Sequence, residues 1–409
     1  MPKAKRDLTL EEQWAKGPID LPFLMLTLIL LGFGLIMVFS ASSATAYYEA
    51  LSQHDPTYYI KRQFLFAVAG TAIMYLTSRL NYQQLRWMSV FILAASIVLL
   101  ILVLIPGLHT VRSDGVKRWI RSIGPIPAFQ PSEIAKVGVV LYFSARLSKR
   151  DSDLKKKRPK KWDTRKLSGR FMVFLDNIGF LELIPYAAIL LLILVLMKFE
   201  PHMSGTILIL VAGASVLFAS GVKLGWFVAG GSLMVAALTL IITTTDYMTR
   251  RIDLWRDPWS YPRDGGYQTI QSLYAIGSGG LLGLGLGKSR QKFLYLPEEH
   301  NDFVFAIVCE ELGYIGAAVV LLLFALLILR GYWIALHARD RFGALLVVGI
   351  ITLLAFQVFL NIGVVTNLFP VTGISLPFFS YGGTALMIQL MEMGIILSVS
   401  RQIPGPKQD

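Results

Sequence analysis

The sequence predicts an all-α polytopic membrane protein of about ten transmembrane helices, with a large extracytoplasmic loop between spans 7 and 8. Of the 409 residues, 55% are hydrophobic and only 16% are charged. The mean hydropathy of +0.58 is far above that of a soluble domain. Several apolar runs also reach the roughly 17 to 25 residues that a helix needs to cross a bilayer.

About ten apolar segments are long enough to be spans. They cover residues 21–39, 63–78, 88–105, 132–147, 183–198, 204–220, 225–243, 303–329, 342–360 and 385–400. An even number of spans puts both termini on the same side of the membrane. The short loops on that side carry several times as many Lys and Arg residues as the short loops opposite, which predicts that both termini are cytoplasmic.

The net charge of +13 is concentrated in loops beside the predicted spans. The cytoplasmic loop 146–170 is the most basic of these, with the cluster Lys155–Lys161 at its centre. Anchoring of the topology and contact with anionic membrane lipid account for such a loop. A protein partner for it stays open as an alternative, whereas nucleic acid is not a predicted partner.

The extracytoplasmic loop 106–131 is also basic, although the orientation rule disfavours positive charge on that face. An anionic ligand outside the membrane would explain the excess, and mere tolerance of charge in a loop is the alternative. Its charged residues are Arg112, Lys117, Arg118 and Arg121, against Asp114.

Lys136 lies one turn inside the apolar segment that follows this loop. Ser132 and Glu133 are typical of a helix start, and Glu133 shares a helix face with Lys136. A lone ammonium at membrane depth costs about 3 kcal/mol. We therefore expect a ligand phosphate or another carboxylate near Lys136, with a simple pair to Glu133 as the structural alternative.

The loop 246–302 is too long to be a mere connector, and long loops of this kind usually bind or catalyse. It contains the glycine run Gly277–Gly287, which resembles nucleotide-binding motifs but has Leu282 where each motif needs glycine. Nucleotide binding is therefore rejected. The glycines are expected either to let backbone N–H groups approach an anion or to pack a re-entrant segment tightly.

Ionisable residues meet an apolar segment at the end of this loop, in the stretch Leu296–Gly313. Asp302 is the last ionisable residue before the apolar run and is expected at the water–lipid boundary, a setting that suits a general base. Helix capping is the alternative role for Asp302. Glu310 and Glu311 lie within the apolar run, where carboxylates mark a functional site or a structural partner in the bundle.

The segment 361–384 is rich in Pro, Gly, Ser and Thr and lies between two spans. Non-helical backbone at membrane depth survives only where it is buried in protein or lines an aqueous cavity. We expect this segment to fold back against the same extracytoplasmic pocket. Glu392, in the middle of the last span, has no partner that the sequence identifies.

Taken together, these motifs resemble one family, the SEDS proteins of shape, elongation, division and sporulation, which include FtsW, RodA and SpoVE. The resemblance covers nearly the whole chain and implies a single membrane domain over residues 1–409. The segment Thr372–Phe378 is more similar to the FtsW and SpoVE branches than to RodA. The most specific matches are Lys117–Ile120, Gln130–Lys136, Gln271–Ser272 with Gly277–Gly280, Leu296–Phe305, Glu310–Gly313 and Leu376–Gly383.

The resemblance implies a peptidoglycan glycosyltransferase that polymerises lipid II into β-1,4-linked glycan at the outer face of the bacterial cytoplasmic membrane, in septal wall synthesis. The essential aspartate of the family corresponds to Asp302, which favours catalysis over capping. A lipid II flippase, a non-catalytic scaffold and a RodA-type elongation polymerase are the alternatives.

In this scheme Asp302 takes the proton from the acceptor 4-hydroxyl, and undecaprenyl pyrophosphate leaves. Arg118 and Lys136 are expected to stabilise the leaving charge, with Glu133 orienting Lys136. A divalent cation such as Mg²⁺ would share that charge, but no ligand cluster in the sequence identifies one. The expected protein partner is a class B penicillin-binding protein. The further residues predicted to contact substrate are Lys117, Gln271, Ser272, His300, Glu310 and Ser380.

Overall fold

The computed structural model describes residues 17–49, 52–110, 118–122, 127–150, 173, 179–200, 203–244, 246–263 and 265–403. The basic loop 146–170 therefore lies mostly outside the described residues. The helices of the described residues are α1 (Leu21–Tyr48), α2 (Tyr58–Arg79), α3 (Gln83–Leu102), α4 (Pro131–Leu147), α5 (Phe180–Phe199), α6 (Met203–Ala219), α7 (Leu224–Thr244), α8 (Asp246–Arg256), α9 (Tyr267–Gly279), α10 (Val304–Leu336), α11 (Arg341–Val365) and α12 (Gly383–Ser400).

Each predicted span coincides with one of these helices, and only α8 and α9 lie outside the predicted spans. Among the described residues, α1, α3, α5, α10, α11 and α12 are long and apolar enough to cross a membrane. The predicted all-α polytopic membrane fold is confirmed. The large loop 246–302 contains α8, a 3₁₀ turn at Pro258–Ser260 and α9.

Asp residues begin two of the membrane helices. Asp20 accepts a hydrogen bond from the Phe23 amide (3.0 Å) at the start of α1, and Asp340 accepts one from the Gly343 amide (3.2 Å) at the start of α11. Such caps stabilise a helix by about 0.5–2 kcal/mol. Asp20 is also paired with Arg330 of α10, with 2.7 Å between Oδ2 and Nη2. This pair fixes α1 against α10 at the end of the bundle opposite Asp302.

The helices α2 and α12 pack closely along their length because glycines line the contact. A methyl group added at Gly394 would lie 1.9 Å from Oγ1 of Thr77, and one at Gly70 would lie 2.7 Å from the Leu390 side chain. Small residues of this kind let two membrane helices approach backbone to backbone. Leu390 and Gly394 thus face α2, whereas Glu392 is buried on the opposite face of the last helix.

A small hairpin precedes α4. Its strands are β1 (His109–Thr110) and β2 (Trp119–Ile120), which pair antiparallel with His109 opposite Ile120. Ile120 also bridges to Phe129, just before α4 begins. The hairpin thus connects directly to the start of α4, and Arg118 immediately precedes β2.

The long helix α10 is broken at Gly313, whose φ of 67° and ψ of −170° are not helical. The amides of Tyr314 and Ile315 donate to the Gly280 and Leu281 carbonyls at 2.9 and 3.2 Å. The Glu310 and Glu311 carbonyls accept in turn from the amides at positions 284 and 285, at 3.0 Å each. The backbone groups freed by the break are therefore satisfied by residues 280–289, which we call the glycine segment.

We expect Gly283→Ala to destabilise the protein. A methyl group there would lie 2.2 Å from the Glu311 carbonyl oxygen, and the φ of +80° at this position is unfavourable for any L side chain. Together these effects cost roughly 2–5 kcal/mol, which thermal unfolding of the purified protein would detect. Gly277→Ala is the matched control, since this helical glycine faces open space and should be neutral or slightly stabilising.

Candidate active site

Asp302 lies in the turn that enters α10 and is partly exposed. Phe303 occupies the N-cap position of α10, and no side-chain hydrogen bond caps the helix there. The N-cap position of α10 is thus one residue beyond Asp302. Gly373 flanks its carboxylate, because a methyl group at Gly373 would lie 3.5 Å from Oδ2 of Asp302. With a φ of +71°, this position favours glycine, which places no side chain against the carboxylate.

Three consecutive carbonyls hold the turn around Asp302. The amide of Tyr381 donates to the His300 carbonyl at 2.8 Å, and Oγ of Ser380 donates to the Asn301 carbonyl at 2.5 Å. Nδ2 of Asn361 donates to the Asp302 carbonyl at 2.7 Å. The donors come from the end of α11 and from the segment before α12. The Asp302 backbone is therefore positioned by chain that lies about 60 to 80 residues away.

The predicted non-helical segment 361–384 is confirmed between Val365 and Gly383, where it packs against this turn. The Ser380 hydroxyl is engaged in this packing contact, because Oγ donates to the Asn301 carbonyl and also accepts from the Leu376 amide at 2.7 Å. Gln63 of α2 supports the same segment by donating to the Ser380 carbonyl at 3.2 Å. The described contacts of Ser380 are structural, and its predicted contact with substrate stays a prediction.

His300 is buried in an aromatic group beside Asp302. Its ring centroid lies 4.7 Å from that of Tyr59 and 5.9 Å from that of Tyr381. Nδ1 of His300 is 3.5 Å from Oε1 of Glu299, which also accepts from the hydroxyl of Thr45. The ring therefore links α1, α2 and the segment before α12 at the base of the Asp302 turn.

Lys136 and Glu133 form the predicted pair on one face of α4. Nζ lies 2.7 Å from Oε2, and the two side chains are only 4% and 18% exposed. Glu392 of α12 is buried and interacts electrostatically with both residues. Glu133 is thus the ion-pair partner of Lys136, and Lys136 is the charged neighbour of Glu392 that the sequence could not identify.

Glu200 is a candidate functional residue that the sequence interpretation missed. It lies in the connection after α5, is completely buried, and neither of its carboxylate oxygens has a hydrogen-bond partner in the described part of the chain. Burial raises the pKa of Glu200 to about 8, while the positive charge of Arg118 acts in the opposite direction. A carboxylate directly after the apolar segment 183–198 was the available sequence signal.

The buried carboxyl of Glu200 predicts a pH-dependent stability. Its pKa is higher in the folded protein than in the unfolded chain, so folding favours the protonated form. This contribution is present below about pH 4.5 and is lost as the pH rises through about 8. We expect the unfolding temperature of Glu200→Gln, relative to wild type, to rise between pH 5 and pH 9. Parallel pH profiles for the two proteins would contradict the assignment.

The connection that carries Glu200 touches the segment that flanks Asp302. Oγ of Ser204, at the start of α6, donates to the Thr372 carbonyl at 2.7 Å, and Thr372 precedes Gly373. Glu133 lies in the first turn of α4, at the same end of the bundle. Asp302, Arg118, Glu200 and Lys136 are therefore all carried by elements that meet at one end, which we call the Asp302 end.

Glu310 and Glu311 are both completely buried and fully engaged by donors. Glu311 accepts from the Gly287 amide (2.9 Å), from Oγ of Ser40 on α1 (2.6 Å) and from Nζ of Lys292 (3.2 Å). Glu310 accepts from the Arg290 amide at 3.0 Å and from the hydroxyl of Ser289. Both interpretations of the glycine run hold here, because the segment packs tightly and the amides of Gly287 and Ser289 approach the carboxylate of Glu311.

These contacts give Glu310 a structural role, and its predicted contact with substrate is untested. Ser272 likewise has an internal bond, from Oγ to the Val365 carbonyl at 2.7 Å, which joins α9 to α11. Gln271, its neighbour, is partly buried. Lys117 and Arg112 lie outside the described residues. Within the described residues, no group of three or more His, Cys, Asp or Glu side chains is arranged to hold a metal ion.

Comparison with known proteins identifies the family. Residues 21–404 match the family model FTSW_RODA_SPOVE, described as cell cycle protein. The chain is 40% identical to stage V sporulation protein E of Bacillus subtilis over 93% of this chain and 97% of that protein. It is 39% identical to the probable peptidoglycan glycosyltransferase FtsW of Geobacter metallireducens over 94% of this chain and 96% of that protein.

Solved structures share the fold over nearly the whole chain. One is described as structural coordination of polymerization and crosslinking by a peptidoglycan synthase complex, with a TM-score of 0.70, 26% identity, and coverage of 96% of this chain and 99% of that one. The rod shape determining protein RodA of Thermus thermophilus matches with a TM-score of 0.63, 26% identity, and coverage of 96% and 98%. The chain described here therefore belongs to the FtsW/RodA/SpoVE family of polytopic membrane proteins.

Proposed function

We propose that this protein is a peptidoglycan glycosyltransferase that polymerises lipid II into β-1,4-linked glycan at the outer face of the cytoplasmic membrane. Relatives that match nearly its whole length carry the name peptidoglycan glycosyltransferase. The observation that carries the proposal is the Asp302 turn. It presents a carboxylate between Gly373 and a backbone held by three hydrogen bonds, at the end of the bundle that also carries Arg118 and Lys136.

Asp302 acts as the general base in this proposal. Its carboxylate accepts the proton of the acceptor 4-hydroxyl as that oxygen attacks the anomeric carbon of the donor, and the glycosidic bond forms with inversion. A positioned base of this kind contributes about 10²–10⁴-fold to the rate. The hydrogen bonds to the carbonyls of residues 300, 301 and 302 support this role, because they fix the backbone that carries the base.

The breaking bond releases undecaprenyl pyrophosphate, and its developing negative charge requires cations on the far side of the anomeric carbon. We assign this role to Arg118 and Lys136. Glu133 holds the Lys136 ammonium at 2.7 Å and so fixes its direction. Since Glu133 already offsets the Lys136 charge, Arg118 is assigned the larger share of pyrophosphate binding.

Reconstitution tests the activity directly. The purified full chain, combined with its class B penicillin-binding protein and fluorescent lipid II, is expected to produce a ladder of glycan strands that a muramidase digests. No polymer, together with movement of lipid II across the membrane of proteoliposomes, would instead establish a flippase. No polymer and no movement would leave a scaffold role.

The partner and the location belong to the same proposal. The match to a peptidoglycan synthase complex supports a transpeptidase partner of the penicillin-binding class. The similarity to stage V sporulation protein E and to FtsW supports a role in septal wall synthesis. The excess of Lys and Arg in the short loops on the side of both termini supports a cytoplasmic location for the termini. A fluorescent fusion is expected to concentrate at division sites. A uniform signal along the side wall would favour the RodA-type elongation role.

A further inference from the structure

Six large apolar side chains are exposed on the glycine segment and the residues that follow it. Leu281 and Leu282 are 70% and 80% exposed. Patches of this kind mark contacts with membrane or protein, because leaving them in water is unfavourable. The six residues are Leu281, Leu282, Leu286, Phe293, Leu294 and Tyr295.

The exposure of side chains along α10 indicates where the surface of the bilayer lies, and the patch lies close to that level. The residues Val304–Glu311 of α10 are all buried in protein, whereas Tyr314, just after the break, is 72% exposed. Tyr and Trp are enriched at the two membrane surfaces. From Tyr314 to the exposed Trp333 the helix rises about 29 Å, which matches the hydrocarbon core of about 30 Å. The amides of Tyr314 and Ile315 bond to the Gly280 and Leu281 carbonyls, so the first leucines of the patch lie at the level of Tyr314.

Two cations lie beside the patch. Lys288 and Arg290 line a cleft of about 560 Å³ together with Gln291, Phe293 and Tyr295. Both cations are exposed, and neither is part of an ion pair among the described residues. Lys292, the third cation of this stretch, is buried and paired with Glu311 instead.

Backbone hydrogen bonds to the buried carboxylates of Glu310 and Glu311 fix the shape of the cleft. The amides of Arg290 and Gln291 donate to Glu310 at 3.0 and 3.4 Å, and the Ser289 amide donates to Glu311 at 3.2 Å. Since internal donors occupy both carboxylates, neither is exposed in the cleft. The accessible face of the cleft therefore combines two positive charges with aromatic and aliphatic surface.

We propose that this cleft binds the phosphate of an anionic membrane phospholipid. Arg290 supplies a planar fork of donors for the phosphate oxygens, and Lys288 supplies a second positive charge. Leu281, Leu282 and Leu286 enter the acyl region of the same leaflet. An anionic lipid fits the cleft better than an acidic protein does, because the exposed leucines begin beside Tyr314 and the cations follow in the same segment, beside Glu310 and Glu311.

The lipid titration of the purified full chain tests the proposal. Native mass spectrometry with phosphatidylglycerol is expected to show roughly thirtyfold weaker binding to K288Q/R290Q than to wild type, since each cation near an anionic surface contributes about 1 kcal/mol. The control R256Q/R263Q removes two exposed cations from the same long loop, outside the cleft, and should bind as wild type does. Phosphatidylcholine should not distinguish the three proteins.

Two outcomes of the titration would overturn the proposal. One is equal binding of phosphatidylglycerol by wild type and K288Q/R290Q. The other is displacement of the lipid by an equal concentration of inorganic phosphate, which would indicate a site for free anions rather than for a lipid headgroup. Thermal unfolding of each variant confirms that the fold is intact.

A depth measurement tests the leucines separately. A nitroxide label at Leu282→Cys, in a Cys309→Ala background and in nanodiscs that contain phosphatidylglycerol, is expected to collide more often with oxygen than with a water-soluble nickel chelate. The reverse ratio would place the patch in water. Strong protection from both agents when the penicillin-binding partner is added would assign the patch to a protein instead.

Discussion

Asp302→Asn is expected to abolish polymerisation of lipid II, with a loss of about 10²–10⁴-fold relative to wild type. Asparagine keeps the size of the side chain but cannot accept a proton from the attacking hydroxyl. The backbone contacts from Asn361, Ser380 and Tyr381 involve carbonyl groups of the turn and should persist in the variant. The measurement is the initial rate of glycan formation by the purified protein together with its penicillin-binding partner.

A matched control separates loss of the base from general damage. Asp257→Asn changes an exposed aspartate of the same long loop 246–302, whose Oδ2 accepts from the Ser260 hydroxyl, and should retain near wild-type activity. Asp302→Asn should also unfold at the wild-type temperature and still bind lipid II. Polymer formation at the wild-type rate with asparagine at position 302 would remove this residue from the mechanism.

Glu311→Gln is expected to cause the largest loss of stability, about 3–5 kcal/mol, because it leaves Lys292 as a buried charge without its partner. Glu311 accepts from a hydroxyl, two backbone amides and an ammonium, and an amide side chain turns its NH₂ group towards some of these donors. The expected results are a lower unfolding temperature and a lower yield of folded protein.

A double-mutant cycle with Lys292→Met identifies the pair as the cause. Each single variant should lose stability, and the double variant should lose less than the sum of the two, because it removes both buried charges. Asp253→Asn, an exposed carboxylate on α8, is the control for neutralising an acid and should change stability by less than about 0.5 kcal/mol. Strict additivity of the two single effects would show that the 3.2 Å contact between Nζ and Oε1 contributes no coupling.

The Glu311 network and the Asp302 turn belong to the same continuous stretch of chain. The glycine segment satisfies the break in α10 and holds Glu310 and Glu311, and the chain then continues through Leu296 to Asp302. Loss of the hydrogen bonds that the Glu311 carboxylate accepts is therefore expected to displace the Asp302 turn and so to reduce activity. Polymerisation at the wild-type rate by Glu311→Gln in the folded fraction would show that the network supports only folding.

The positions of the helices could be predicted from the sequence alone. So could contacts between residues that are close together in the chain. Apolar composition and length are local properties, so the predicted segments coincide with helices, often to within a few residues. The pair between Glu133 and Lys136 was also predictable, because residues three apart share a helix face. The position of Asp302 directly before α10 followed from the change of composition at Phe303.

The tertiary structure decided the contacts between residues far apart in the sequence. It placed Arg118 near Glu200 and Glu392 near Lys136, and it gave Glu311 its donors from α1 and the glycine segment. It also decided that Asn361 holds the backbone of Asp302. Such pairs depend on which helices pack together and at which height. The packing of the helices depends on the complementary shape of whole helix surfaces, such as the glycine-lined contact of α2 and α12. The spacing of residues along the chain is not enough to predict it.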